Sequence, residues 1–349
     1  MHPSTRRIPV FITLLLLSSA CAHRAGSRSA GGAATPAPHR TGRVAVAPGV
    51  RVEYVDWGGR GEPLVFLAGL GNTAHVFDEF APRFASGHRV VGITRRGFGA
   101  SDRPGEGYDT RTLAADVRAV LDSLGIGRAT LVAHSLAGSE ASALAAADPP
   151  RFPRVVYLDS YDFGCAEPPR PRQPEAGGPP LPPNRFVRDP LREPLAPADS
   201  ASAEAAHAAW VRRLGWSMPV DELRAQRGEA PAGARSLEEP QVMRAMMMGK
   251  ERCFQAAPLR ALNVFAEVRN PRFEAFDEAM NPVRLDSAQV AALTRGLLAL
   301  VDADQARFTR QLPGARAVRV PNAHHFIFLS NPDETYAAVR AFLAEVEPR

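Results

Sequence analysis

From residue 44 onward, short apolar runs rich in β-branched residues alternate with longer stretches whose apolar positions recur at helical spacing. This alternation is typical of a mostly parallel sheet that is covered by helices on both faces. The pattern predicts eight strands, near residues 44–46, 52–57, 64–67, 89–93, 130–132, 155–158, 262–266 and 317–320. It predicts helices near residues 75–86, 110–124, 136–147, 287–311 and 332–346.

The alternation breaks between about residues 163 and 258. Residues 166–197 hold eleven prolines and cannot form a regular element of the sheet. Two helical pieces follow, near residues 200–213 and 236–249. An insertion of this kind after a central strand predicts a proline-rich helical cap, which would exclude water from an active site and shape its pocket.

Composition narrows the possible classes of function. The chain has 349 residues, of which 45% are hydrophobic and 23% are charged, so it can bury a large core. Its net charge of +5 is modest and the basic residues are spread along the chain, which disfavours nucleic-acid binding. The sequence has no phosphate-binding loop and no paired CxxC motif. We therefore expect no cofactor, no metal and no protein partner.

The first 21 residues have the pattern of an export signal. Arg6 and Arg7 precede an apolar run over 8–17, and small residues lead to Cys21. This segment resembles a bacterial lipoprotein signal, which implies a lipid anchor at Cys21, and ordinary cleavage of a signal peptide is the alternative. Residues 22–43 then predict a flexible tether, and 44–349 the folded domain. The expected location is periplasmic or membrane-anchored.

Export would place Cys165 and Cys253 in an oxidising compartment. An even pair of cysteines in that setting can form a disulfide, which their number and location suggest. Two buried apolar cysteines are the alternative interpretation.

One serine lies in a segment typical of a strained turn between a strand and a helix. Ser135 follows an apolar run and precedes an alanine-rich helical stretch, with Ala133 and Ala137 two positions to either side. Small residues are required there because bulk beside the strained serine would collide with its neighbours. The turn would present Ser135 at the carboxyl end of a central strand, where open α/β sheets bind their ligands.

A serine nucleophile needs a base, and the base needs an acid that orients it. Among nine histidines, His324 and His325 follow the last predicted strand, and a loop at that point would return to Ser135. His134 adjoins the serine, but its side chain is expected to point away from the attacking face.

These motifs together resemble the α/β-hydrolase fold superfamily over roughly residues 50–347, apart from the insertion. Residues 67–71 (LAGLG) resemble the oxyanion loop after the family's third strand. Residues 95–101 (RRGFGAS) resemble the R-G-x-G-x-S turn after its fourth strand. Ser135 matches the nucleophile of the family's elbow, although both glycines of G-x-S-x-G are alanines here. The resemblance implies the α/β-hydrolase fold, with an eight-stranded, mostly parallel sheet.

The same resemblance assigns the base and the acid. His325 precedes an aromatic residue, as in the family's G-H-F ending, and His324 is the alternative base. Many relatives carry an aspartate after the seventh strand, where this chain has Arg269. Others take the acid from the end of the sixth strand, where Asp159 lies. Asp159 is therefore the preferred acid, and Asp162 and Glu267 are the alternatives. The order serine, acid, histidine agrees with that of the family.

The resemblance also implies an activity. The backbone N–H groups of Leu70 and Leu136 are the expected oxyanion hole. We expect an exported serine hydrolase that cleaves a carboxylic ester or related acyl bond of a small molecule through an acyl-enzyme. An acyltransferase and a non-catalytic binding protein of the cell envelope are the alternatives. Relatives that open epoxides use an aspartate where Ser135 stands, which disfavours that chemistry.

Overall fold

The computed structural model describes residues 39–161, 163, 201–251, 259–267 and 287–345. Several predicted features lie outside these residues: the signal segment 1–21, most of the tether, the proline-rich stretch 166–197, Asp162, Cys21, Cys165 and Cys253.

Eight strands form one sheet. They are β1 (Arg40–Ala47), β2 (Val50–Gly58), β3 (Leu64–Leu67), β4 (Val90–Thr94), β5 (Thr130–His134), β6 (Arg154–Leu158), β7 (Arg260–Glu267) and β8 (Arg316–Pro321). Their order in the sheet is β1-β2-β4-β3-β5-β6-β7-β8. Strand β2 runs antiparallel to β1 and β4, and each neighbouring pair from β4 to β8 is parallel. The predicted sheet is confirmed.

The predicted tether ends too late in the chain. Strand β1 begins at Arg40, inside the range 22–43 that composition assigned to the tether, and Arg40 pairs with Asp56 of β2. The edge of β2 offers unpaired backbone N–H and C=O groups, and the preceding chain satisfies them by pairing there.

Helices cover the sheet. They are α1 (Thr110–Ser123), α2 (Ala137–Ala147), α3 (Ala203–Leu214), α4 (Val220–Arg227), α5 (Glu239–Gly249), α6 (Ser287–Gln311), α7 (Ile327–Ser330) and α8 (Pro332–Leu343). The short helices α4 and α7 were not predicted. None of the helices in the described ranges is both long enough and apolar enough to span a membrane.

The helix predicted over 75–86 is wrong. Two short 3-10 helices, Ala74–Phe77 and Ala81–Phe84, occupy this segment. Pro82 explains the break, because a proline inside an α-helix has no N–H to donate and its ring collides with the carbonyl four residues earlier.

Alternate side chains of the buried strands enter two separate cores. Val65 of β3 belongs to a cluster formed with α1, α2 and α6, whereas Phe66 belongs to one formed with the 3-10 helices, α3 and α8. Successive side chains of a strand point to opposite faces, so both faces of the sheet are covered. Because β3, β5, β6, β7 and β8 are parallel, the loops at their carboxyl ends lie along one edge.

The described part of the predicted insertion, residues 201–251, contains α3, α4 and α5, and we call it the helical insert. Helices α3 and α5 correspond to the two predicted helical pieces. Met243 and Met246 of α5 are buried in a small cluster with Leu70 and Leu136. The helical insert therefore packs against the loops that carry the expected oxyanion hole.

Candidate active site

Ser135 lies in the turn between β5 and α2 with a backbone φ of +53°. This left-handed conformation is strained for a residue with a side chain, and it persists where the surrounding structure enforces it. Two hydrogen bonds do so, from the Ser135 N–H to Leu158 O at 3.2 Å and from Ser160 Oγ to Ser135 O at 2.7 Å. Ala133 and Ala137 are fully buried beside the turn, as the size requirement predicts.

His325 and Asp159 meet at the same edge of the sheet. His325 Nδ1 lies 2.7 Å from Asp159 Oδ2. The carboxylate accepts the proton of Nδ1, so the lone pair of the neutral imidazole is on Nε2, the nitrogen that a general base uses. The Asp159 side chain is buried, whereas His325 keeps 21% of its side chain exposed. The imidazole can therefore reach a ligand, while the carboxylate that orients it is shielded from solvent.

Asp159 is held in one orientation by three donors. Besides His325, the Ala266 N–H donates to Oδ1 at 2.8 Å and the Tyr161 hydroxyl donates to the same oxygen at 3.1 Å. Burial and the charge of Asp159 raise the pKa of Tyr161, so the phenol keeps its proton and remains a donor. Asp159 itself has a φ of +44°, which aspartate tolerates better than most residues.

His134, which adjoins the serine in the sequence, lies against the candidate base. Its Nε2 lies 3.1 Å from the backbone oxygen of His325, and the two ring centroids are 4.6 Å apart. Complete burial, together with the charges of His325 and His324, lowers the pKa of His134 well below its usual value. His134 is therefore neutral, and it holds the backbone of the His325 loop by donating from Nε2.

The alternative base is oriented differently. His324 Nδ1 accepts the Phe326 N–H at 3.2 Å, and its ring lies 4.8 Å from that of Trp216 in the helical insert. Burial, then the charge of His325, lowers the pKa of His324 to about 3. Among the alternative acids, Glu267 ends β7 and is buried, while His325 pairs with Asp159.

The backbone N–H groups expected to form the oxyanion hole belong to Leu70 and Leu136. In the ranges that the structure describes, neither the Leu70 nor the Leu136 backbone N–H donates to a protein acceptor. Leu136 is the N-cap of α2, where the helix dipole favours negative charge. Within the same ranges, no hydrogen bond joins the Ser135 hydroxyl to His325. Such contacts are often loose before substrate binds.

The core holds the oxyanion loop through Arg95. Its guanidinium donates to Ala68 O at 2.8 Å and to Gly69 O at 3.1 Å, and it pairs with Glu140 at 2.5 Å. A Cβ on Gly69 would lie 2.8 Å from His134 Nδ1 and 3.2 Å from Cβ of Ser135, so a side chain at this position would force its neighbours to shift. Arg95 thereby orders the backbone just before Leu70 and fixes the position of the Leu70 N–H.

The helical insert holds the other side of the same loop through Glu222 of α4. Its fully buried carboxylate accepts from Asn72 Nδ2 at 2.8 Å, from the Thr73 N–H at 3.1 Å and from the Thr73 hydroxyl. Burial raises the pKa of Glu222 even though these hydrogen bonds oppose the shift. Sequence reasoning missed Glu222, since nothing in its local pattern marks a residue that contacts a loop so distant along the chain.

Four side chains elsewhere bring potential metal ligands together. The donor atoms of His39, His75, Asp78 and Asp221 all lie within 4.8 Å of one another. Asp78 already accepts from Trp57 and pairs with His75. Burial acts to lower the pKa of His75, but hydrogen bonds and charges from Asp78 and Glu53 outweigh it and raise the pKa to about 10. In this structure the cluster forms an ion-pair network centred on His75 and Asp78.

Comparison with known proteins decides the fold. A family model of the α/β-hydrolase fold matches residues 62–217. The solved structure of an E-2-(acetamidomethylene)succinate hydrolase covers 88% of this chain and 100% of its own, with a TM-score of 0.57 and 21% identity. The chain has the α/β-hydrolase fold. The positions of Ser135, Asp159 and His325 after β5, β6 and β8 are positions at the carboxyl edge of that fold.

Curated relatives of this fold are similar over shorter stretches. A non-heme chloroperoxidase of Streptomyces lividans is 38% identical over 122 residues, which cover 34% of this chain and 44% of the relative. Epoxide hydrolase 4 of Mus musculus is 34% identical over 120 residues, which cover 32% of each protein. The chain thus spans less than half the length of these relatives.

Proposed function

We propose that the chain is a serine hydrolase that cleaves a carboxylic ester or a related acyl bond through an acyl-enzyme. The observation that carries this proposal is the hydrogen bond between His325 Nδ1 and Asp159 Oδ2, made beside a serine in a strained turn. An oriented imidazole near a partly exposed serine hydroxyl is the arrangement that makes serine a nucleophile at neutral pH.

Each group has a distinct role in the proposed reaction. The Ser135 oxygen attacks the acyl carbon while His325 Nε2 takes the hydroxyl proton, and the Asp159 carboxylate stabilises the imidazolium that forms. The N–H groups of Leu70 and Leu136 stabilise the negative charge that develops on the carbonyl oxygen. His325 then gives its proton to the departing alcohol, and water releases the acid by the same steps in reverse.

The names of the two curated relatives describe chloroperoxidase and epoxide hydrolase activities. Epoxide-opening members of the superfamily use an aspartate at the nucleophile position, whereas this chain has Ser135. A serine at this position, with a histidine general base nearby, supports acyl transfer rather than epoxide opening. The proposed substrate is therefore a small acyl compound, and no cofactor takes part in the proposed steps.

Export belongs to the proposal and rests on sequence pattern. A basic start, an apolar run and small residues before Cys21 support a lipoprotein-type signal. Fractionation of full-length protein made in a Gram-negative host tests it. Wild type should be found with membranes and Cys21→Ser should lose that association, while equal fractionation of both contradicts a lipid anchor.

The proposed disulfide between Cys165 and Cys253 has its own test. Alkylation of the native, exported protein with and without reductant should show the two thiols reacting only after reduction. Free reaction of both thiols in the unreduced protein contradicts the pairing.

Covalent labelling tests the proposed nucleophile most directly. A fluorophosphonate probe should phosphonylate Ser135 of the folded protein with loss of fluoride, because only an activated serine reacts quickly. Ser135→Ala should abolish labelling and His325→Ala should nearly abolish it. Ser123→Ala is the matched control, since Ser123 is exposed at the end of α1. Unlabelled, correctly folded wild type, or labelling that survives Ser135→Ala, contradicts the proposal.

A further inference from the structure

A cleft of about 460 Å³ lies between the helical insert and the core. Its core wall comes from the residues after the oxyanion loop and from the turn after β4, and its outer wall comes from residues 225–239. Gly71 and Phe326 line it, and these residues directly follow Leu70 and His325 in the chain. The cleft therefore opens beside the proposed catalytic groups.

The charge of the lining is mainly positive. Three arginines line the cleft, namely Arg103, Arg227 and Arg235, against one carboxylate, Glu239. Arg227 pairs with Glu229. The buried Arg103 guanidinium donates from Nε to Gly97 O at 2.8 Å, and its Nη2 lies 3.8 Å from the half-exposed Glu239. That separation is too long for a hydrogen bond, so Arg103 and Glu239 attract each other by charge alone and the donors on Nη2 can still bind a ligand.

Arg103 and Arg235 are direct neighbours across two backbone segments. They are partners in a parallel β-bridge, made by the Arg103 N–H to Ala234 O at 2.6 Å and the Ser236 N–H to Arg103 O at 2.7 Å. Partners in a bridge project their side chains to the same side, and like charges placed opposite each other are destabilising. An anion in the cleft would be attracted by both charges.

The backbone that carries Arg235 is fixed on the core, while the Arg235 side chain itself is exposed. The Ala234 N–H donates to Asp102 Oδ1 at 2.8 Å, and the backbone at Gly233 packs so tightly that a Cβ would lie 2.2 Å from Ser101 O. Contacts of this kind fix the segment of the helical insert that carries Arg235 onto the turn after β4. Because the backbone is already fixed, binding of an anion would have to order only the Arg235 side chain.

We propose that this cleft binds a carboxylate of the substrate, so that the enzyme prefers acyl compounds carrying a free acid group over neutral esters. The planar guanidinium groups of Arg103 and Arg235 match the two oxygens of a carboxylate, with charge-assisted hydrogen bonds. The inference rests on the proposed hydrolase function, whose acyl group would lie at the adjoining serine.

The test compares two esters of similar length. Mono(4-nitrophenyl) glutarate carries a free carboxylate, and 4-nitrophenyl valerate does not. Wild type should favour the glutarate ester in kcat/KM, and Arg235→Gln should reduce that preference about ten-fold, mostly through KM, because one charge-assisted contact is lost. Arg244→Gln removes an exposed arginine of α5 outside the cleft and should keep the preference. Equal preference in wild type, Arg235→Gln and Arg244→Gln overturns the inference.

A binding measurement separates failure of the cleft from failure of the hydrolase. Calorimetric titration of Ser135→Ala with glutarate should show binding that weakens about ten-fold when Arg235→Gln is added. Absence of binding overturns the inference even if both esters are hydrolysed. Binding without turnover of either ester by wild type supports the cleft and contradicts the hydrolase. Inorganic phosphate that binds as tightly as glutarate overturns the assignment to carboxylates.

Discussion

The two sides of the site come from regions that differ in how their residues are placed. On the core side, Ser135 and Asp159 follow adjacent parallel strands, and His325 follows the last strand. Topology alone brings such strand ends to one edge. On the side of the helical insert, Glu222 and Arg235 reach the site because α4 and the segment before α5 pack on loops of the core.

The two sides of the site therefore have different roles: the core side would catalyse the reaction, and the insert side would determine substrate preference. The core side supplies the groups that would make and break the acyl bond. Backbone groups of the sheet hold them in place by hydrogen bonds. The insert side supplies groups that hold the oxyanion loop and line the cleft. Substitutions on the core side should therefore affect kcat most strongly, while those on the insert side should affect loop order and substrate preference.

The largest expected effect is on the core side. Asp159→Asn should lower kcat for a neutral ester by about four orders of magnitude, because an amide no longer holds His325 with its proton on Nδ1. Steady-state kinetics on 4-nitrophenyl valerate measures it. Glu267→Gln is the matched control, since it neutralises the alternative acid at the end of β7. A larger loss in Glu267→Gln than in Asp159→Asn would assign the orienting role to Glu267.

The contrast also explains how much could be predicted from the sequence. All eight strands and the motifs on the core side were predicted, because strand ends carry short patterns in which backbone conformation demands particular residues. The φ of +53° at Ser135, between small alanines, is one such case. The contact of His134 could not be predicted in this way, because its partner is the backbone oxygen of His325, far along the chain.

On the insert side, two of the helices could be predicted from the sequence, but the contacts that they make with the core could not. Helices α3 and α5 follow from amphipathic spacing, whereas α4 is short and polar and was missed. Glu222 accepts a hydrogen bond from Asn72, 150 positions away in the chain. Arg235 becomes a cleft residue only through its bridge with Arg103. Such pairings depend on how two surfaces fit, which no local pattern encodes.

The next largest effect should come from Glu222. Glu222→Leu leaves the Thr73 N–H and the Asn72 amide buried without their acceptor, which frees the loop that carries the Leu70 donor. We expect kcat to fall by about a hundred-fold with a smaller change in KM, as for a weakened oxyanion hole.

Two further variants separate loop position from simple destabilisation. Glu222→Gln keeps one acceptor oxygen and should recover part of kcat. Glu229→Gln is the control, because this exposed residue pairs with Arg227 and not with the loop. If Glu222→Leu lowers the melting temperature but leaves kcat unchanged below it, Glu222 does not position the oxyanion loop.

The smallest expected effect is on stability, at the contact between the two sides where His324 packs on Trp216. Burial lowers the pKa of His324 to about 3 and that of His134 well below 6.5. Between the folded pKa and 6.5 the unfolded chain binds more protons than the folded one. The stability due to each neutral histidine is therefore complete above pH 6.5 and is lost as the pH falls, by about 1.4 kcal/mol per pH unit.

His324→Phe should reduce this acid-side slope by one proton, because phenylalanine does not titrate. Urea unfolding at several pH values between 6.5 and 4 measures the slope directly. Trp216→Phe removes the facing indole without changing a titratable group, so it should alter the free energy of unfolding but not its dependence on pH. An equal slope in wild type and His324→Phe would show that His324 binds as many protons in the folded protein as in the unfolded chain, and would contradict its burial as a neutral imidazole.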